Sequence, residues 1–179
     1  MKRVASIAIV LVVSVGVAIS QTRTNQRVKA RNEAKFLYAI ETGDVLIFYK
    51  LLKRGVNVNA SRYDRTTALM VAALNQRLEF LTVLLSKGAH VNAKNKFGNT
   101  ALMDAAAAGQ YEMVRWLLAA GANIRAKNES GFTAVMFAMK AAGANQENYQ
   151  KVIELLKSYE RKQPTQSRRA QHALAADSP

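Results

Sequence analysis

Val56-Asn57-Val58-Asn59-Ala60 returns as Ala89-His90-Val91-Asn92-Ala93 and again as Ala122-Asn123-Ile124-Arg125-Ala126, with Ala60, Ala93 and Ala126 each 33 residues apart. The same step carries Gly55, Gly88 and Gly121, then Thr67, Thr100 and Thr133, then Leu69, Leu102 and Val135, then Ala72, Ala105 and Ala138. The pairs Leu51-Leu52, Leu84-Leu85 and Leu117-Leu118 keep it as well. A fixed period of this length marks a stack of small structural units rather than one globular core.

Each unit reads as helix, turn, helix, glycine and an extended segment. Thr100 is placed to cap the first helix, Leu102, Ala105 and Ala106 give it a narrow apolar stripe, and Gly109 marks the turn. Met113, Val114, Trp116, Leu117 and Leu118 form a broad apolar face on the second helix, which stops at Gly121. No such unit buries its apolar face alone, so neighbours must cover it. On this reading Trp116, in step with Val83, packs between repeats, and Met70, Met103 and Met136 belong to the core.

These residues resemble the ankyrin repeat family, whose unit has 33 residues, a Thr-Pro-Leu-His tetrapeptide, a Leu-Leu pair and a Gly-Ala-Asp-Val-Asn-Ala close. Here the tetrapeptide stands as Thr67-Ala68-Leu69-Met70, Thr100-Ala101-Leu102-Met103 and Thr133-Ala134-Val135-Met136, without Pro or His. The resemblance implies an all-α repeat fold, an ankyrin solenoid of about four helix-turn-helix repeats with short β-hairpin-like fingers. Repeats are expected at about 32–61, 62–94, 95–127 and 128–160, together the 32–160 ankyrin repeat domain. The first lacks the Thr-x-Leu start, as befits an N-terminal cap. The last carries five extra residues near Gly143–Asn148 and closes with a helix from about Glu147 to Glu160.

The chain has 179 residues and a formal charge of +14 from 26 Lys+Arg against 12 Asp+Glu. Residues 21–35 hold Arg23, Arg27, Lys29, Arg31 and Lys35 against Glu33, and residues 161–179 hold Arg161, Lys162, Arg168 and Arg169 against Asp177, so much of the excess lies in the flanks. A mildly basic domain with basic extensions is a weak argument for nucleic acid, and no reader motif accompanies the charge. The 21–31 stretch reads as a basic linker and 161–179 as a disordered basic tail, since neither has a sustained apolar face.

Lys2-Arg3 followed by the apolar run Val4–Ile19 has the charged and apolar regions of a secretory signal peptide, with a cut expected between Ser20 and Gln21 after Ala18-Ile19-Ser20. Sixteen apolar-run residues are short of the roughly 20 that span a bilayer as a helix. Export to the periplasm or secretion is therefore the first expectation. The competing one is an uncleaved single-pass inner-membrane anchor, favoured by the positive charge just beyond the run. Membrane contact is expected only through residues 4–19, if they are kept.

Zero Cys excludes disulfides, thiolate zinc sites and cysteine nucleophiles. His90 is a turn residue in step with Asn57 and Asn123, and His172 lies in the tail, so no triad or metal site assembles. Asp64, Asp104, Glu112 and Glu129 are read as solvated surface groups. The sequence gives no expectation of enzymatic activity, a cofactor, a metal or a small-molecule substrate.

The resemblance instead implies a binding module that takes a protein partner on its finger tips and on the concave face of its first helices. The matching tip residues are Tyr63, Asp64 and Thr66, then Lys96, Phe97 and Asn99, then Glu129, Ser130 and Phe132. The matching concave residues are Leu74, Asn75, Ala107, Ala108, Lys140 and Ala141. Lys94, Lys96, Arg125 and Lys127 run as a basic strip along the fingers, which suits an acidic partner. The expected role is scaffolding or protecting an exported protein, with inhibition of a toxic exported enzyme, as an immunity protein does, as the alternative.

Overall fold

Three threonines set the register. The hydroxyl oxygens of Thr67, Thr100 and Thr133 accept the amides of Met70, Met103 and Met136, each at 3.4 Å, and so occupy one of the donors that a helix N-terminus leaves unpaired. From each cap starts a short inner helix: α3 (Ala68–Leu74), α5 (Ala101–Ala107) and α7 (Ala134–Ala141). Outer helices follow as α4 (Leu78–Ser86), α6 (Tyr111–Ala119) and α8 (Gln146–Lys162), and the chain opens with α1 (Lys2–Thr42) and α2 (Val45–Lys53). The computed structural model describes residues 2–142 and 146–162, with 2–20 and 146 as backbone only.

Inner helices pack on inner helices and outer on outer: α1, α3, α5 and α7 follow one another in one layer, with α4 on α6 and α6 on α8 in the other. The buried residues recur at the repeat step. Leu69 and Leu102 line the inner layer, Leu84 and Leu117 the outer one, and all four are nearly inaccessible. Small residues at Ala72, Ala73, Ala105, Ala106 and Ala138 are buried where adjoining helices meet, because short side chains permit close helix approach.

The two ends are closed differently. At the N-terminal end, Phe48 stacks on Phe36 at 5.2 Å and on Phe80 at 4.3 Å, so aromatic rings fill the space between α1, α2 and α4. Asp44 caps α2 by accepting the Ile47 amide at 2.9 Å, and Arg77 donates to the Glu41 and Thr42 carbonyls at the C-terminus of α1. At the other end α8 buries Val152, Ile153 and Leu156 and leaves Lys151, Glu154 and Lys157 exposed, which is the polar outer face a terminal repeat needs.

Fingers connect the repeats. Among the described residues they contain no strand, only turns and an isolated antiparallel bridge between Ser61 and Thr67. Gly98 has φ +75°, and a Cβ there would stand 2.9 Å from the Glu129 amide nitrogen, so the finger of one repeat touches the next only because this residue has no side chain.

Several expectations need correction. Residues 21–31 are not an irregular linker: they continue α1, with every side chain exposed. Trp116 is 45% exposed, since its register position sits at the edge of the outer layer, where Lys50 also lies in the open. Met70 and Met103 are buried, but Met136 is 48% exposed because no inner helix follows α7. Asp104 is buried rather than solvated, at 8% exposure. The Ser20 side chain, His172, residues 143–145 of the extended last repeat and the tail from Gln163 onward lie outside the described residues, and Arg161 and Lys162 end α8.

Leu117 has no exposed surface and lies in the centre of the outer layer. Leu117→Ala should lower unfolding stability by about 2–5 kcal/mol, as truncations in packed cores do; chemical denaturation measures it, and an unchanged midpoint would contradict the repeat register.

Candidate protein-binding surface

Each finger is held by its own side chains before it touches its neighbour. Asn95 Oδ1 accepts the amides of Phe97 and Asn99 at 2.9 and 3.0 Å, and Asn128 Oδ1 those of Ser130 and Phe132 at 3.1 and 2.8 Å. These are side-chain turns that fix the tip without a strand. In the first finger Arg62 stands where the others have asparagine, and Asp64 takes over by accepting the Thr66 amide at 3.0 Å. That bond from the Thr66 backbone holds the Asp64 carboxyl below its ordinary pKa.

Neighbouring fingers are then tied together. The Lys96 amide donates to the Asp64 carbonyl at 2.8 Å, the Glu129 amide to the Phe97 carbonyl at 3.0 Å, and Asn128 Nδ2 to Asn99 Oδ1 at 2.8 Å. Deeper in the loops, Asn59 Oδ1 accepts the His90 amide and Asn92 Oδ1 the Asn123 amide, at 2.8 and 2.7 Å. The repeated asparagine therefore bridges one repeat to the next. The result is a row of tips whose spacing is fixed by main-chain geometry.

Tyr63 is 89% and Phe97 62% exposed, on adjoining tips, and Lys96 Nζ stands 4.8 Å from the Tyr63 ring centre, within cation–π range. Phe132 does not join them. It is half-buried against Phe137 at 5.7 Å, with Lys140 Nζ 5.6 Å from its ring. Glu129 and Ser130 are exposed at the third tip.

Thr66 is 5% exposed and so lies beneath the surface rather than on it. Asn99 is half-buried and spent on Asn128, and Asn75 is half-buried with Nδ2 on the Val71 carbonyl at 2.9 Å. On the concave side Leu74 is 52% exposed and Lys140 is exposed, while Ala107 and Ala108 between them are half-buried. The basic strip is partly engaged: Lys94 Nζ donates to the Lys127 carbonyl at 2.8 Å and Arg125 to the Glu160 carbonyl at 3.3 Å. Lys127 is exposed.

Two features went unread in the sequence. Arg65 has φ +65°, a left-handed conformation that costs a residue with a Cβ about 1–2 kcal/mol. Its register mates Gly98 and Gly131 have the same conformation. An arginine where two sister repeats have glycine was the available signal, and it places strain and a positive charge beside Tyr63. The second is a groove of about 510 Å³ between α1 and the first finger, lined by Leu37, Tyr38, Arg62 and Tyr63 and crossed by the 2.7 Å Arg62–Glu41 ion pair. Tyr38 is 64% exposed there.

With these fingers and helices in place, the sequence similarity is specific. The family model described as ankyrin repeats (3 copies) matches residues 15–95, 36–128 and 92–167. The chain belongs to the ankyrin repeat family. No curated protein matches it. Ankyrin repeats are protein–protein interaction modules, in general without catalysis of their own.

Asp104 lies on α5 between α3 and α7 and shares a helix face with Ala107 and Ala108. Its Oδ2 has no hydrogen-bond partner, and burial pushes the carboxyl up from 3.8 to about 7. The folded chain therefore keeps this proton at pH values where the unfolded chain has lost it, so stability falls as pH rises from about 4 to about 7. The shift corresponds to a loss of about 4 kcal/mol. Asp104→Asn should flatten that fall, so urea unfolding at pH 5 and pH 8 should differ clearly for the parent and little for the variant; equal pH responses would remove Asp104 as the cause.

Proposed function

We propose that this ankyrin protein is a non-enzymatic binding module that acts on one protein partner outside the cytoplasm, scaffolding or protecting it in the periplasm or after secretion. The observation that carries the partner surface is the pair of exposed rings, Tyr63 and Phe97, on adjoining tips tied by the Lys96 to Asp64 hydrogen bond. Large rings on a preorganised support bind at low ordering cost, and aromatic residues are enriched among the few that dominate binding energy. Lys96, Arg65 and Lys127 alongside them favour an acidic partner by steering its approach. Delivery outside the cytoplasm is supported by Lys2-Arg3 and the Val4–Ile19 run.

One observation favours a second reading, in which the N-terminal segment is kept as an anchor. The backbone of α1 runs without a break from Lys2 to Thr42, through Ser20 and Gln21 and into the first repeat. Determination of the N-terminal residue of the protein from fractionated cells separates the two. A start at Gln21 supports export, and an intact N-terminus in the membrane fraction supports the anchor.

The partner surface is tested with Tyr63→Ala and Phe97→Ala, alone and together, against the protein that co-purifies at fixed ratio. Each single variant should weaken binding by about tenfold or more, as loss of a dominant contact does, with the helical signal unchanged. Parent-like binding by the double variant would move the site to the concave helices. Loss of the partner's activity at equimolar dose would mark inhibition in place of scaffolding.

A further inference from the structure

Arg23, Arg27, Arg31 and Lys35 recur every four residues along the exposed part of α1. At about 100° per residue each step turns the series by only about 40°, so four cations stay within an arc of about 120° and extend over about 18 Å. The side of α1 that enters the core carries Phe36, Leu37, Ala39 and Ile40, and its centre lies about 180° from that of the cationic stripe. The stripe is therefore centred opposite the core-facing side of α1, on its exposed surface.

No carboxylate lies between these four cations on their own face of the helix. Glu33 is the single carboxylate between Gln21 and Lys35, and it lies on the opposite side of the helix, lining the grooves beside Arg54 and Tyr63. The ion pairs among the described residues use Arg62, Arg115 and Lys151 as their cations, none of them in the stripe.

We propose that this one-sided stripe docks α1 on an anionic lipid surface. Two features favour lipid headgroups over nucleic acid or an acidic protein. The helix that carries the stripe is continuous with the backbone that carries the apolar Val4–Ile19 run. Arg23 stands about 6 Å and Arg27 about 12 Å beyond Ile19 along the axis, so both lie in or within one Debye length of a headgroup layer that begins where the apolar run ends. Because all four cations share a face, a tilt toward that face brings Arg31 and Lys35 to the same plane. The finger tips are carried by other elements, so the proposal is independent of the partner surface; it rests on the second reading above, in which residues 4–19 are kept. Parent protein that floats with neither anionic nor neutral vesicles would count against that reading, whereas flotation with no anionic preference would count against the stripe.

The test uses the full chain and flotation with vesicles of phosphatidylcholine alone or of phosphatidylcholine mixed with phosphatidylglycerol, at about 0.15 M salt. Each basic residue near an anionic surface contributes about fivefold in affinity. The parent should favour anionic over neutral vesicles by about 25-fold or more, with the preference shrinking as salt is raised. The variant Arg23→Gln, Arg27→Gln, Arg31→Gln, Lys35→Gln keeps good helix formers at exposed positions and should lose that preference to within about fivefold. A control of equal charge, Lys50→Gln, Lys53→Gln, Lys87→Gln, Lys157→Gln, should retain it, with circular dichroism verifying that both variants are folded. A stripe variant as selective as the parent, a control that loses as much, or parent binding to duplex DNA more tightly than to the anionic vesicles at equal phosphate would each overturn the proposal.

Discussion

A pair of helices of seven to nine residues cannot make a core, and every other feature of this protein follows from that limit. Each pair has an apolar flank on two sides, so it is stable only between neighbours, and the stack holds as a chain of nearest-neighbour contacts. That is why the buried leucines and alanines recur at one step, why the first and last units depart from the pattern, and why rings fill the N-terminal end while a longer polar-faced helix closes the other.

Apolar stacking alone would leave the repeats free to slide or rotate against one another. The asparagine ladder and the amide-to-carbonyl bonds between fingers remove that freedom, because a hydrogen bond fixes direction where burial does not. The same bonds make the binding surface. Tip residues such as Tyr63 and Phe97 are presented on turns closed by Asp64 and Asn95, so a partner meets rings already in place. The structure also carries costs. The buried Asp104 carboxyl in the middle inner helix leaves its Oδ2 without a hydrogen-bond partner, and Arg65 takes a conformation its sister repeats give to glycine.

Much of the fold was legible because a repeat states its own register several times over. The threonine caps, the glycine stops and the Leu-Leu pairs all sit where the 33-residue step puts them. What the step does not convey is how many neighbours a position has. Met136 is the same residue in the same register as Met70 and Met103, yet it ends the inner layer and is open. Asp104 has the residue type of a surface group, but the middle repeat is covered on both sides. Trp116 aligns with Val83 on the packed face, yet Lys50, one repeat further back, marks that position as an edge. Thr66 and Phe132 sit in fingers as expected and yet turn inward, which depends on contacts between fingers and not on spacing. The helical course of residues 21–31 was missed because no apolar period marks it; the stretch has neither Gly nor Pro to stop a helix anchored by Phe36, Leu37, Ala39 and Ile40.

The central claim is that the finger tips, rather than the outer helices, meet the partner. Site-specific photo-crosslinking in living cells tests it most directly, with the reactive side chain placed in turn at Phe97 and at Ser86 on the exposed outer face of α4. A discrete adduct from position 97 and none from position 86 is the predicted result, whereas an adduct from position 86 alone would contradict the account.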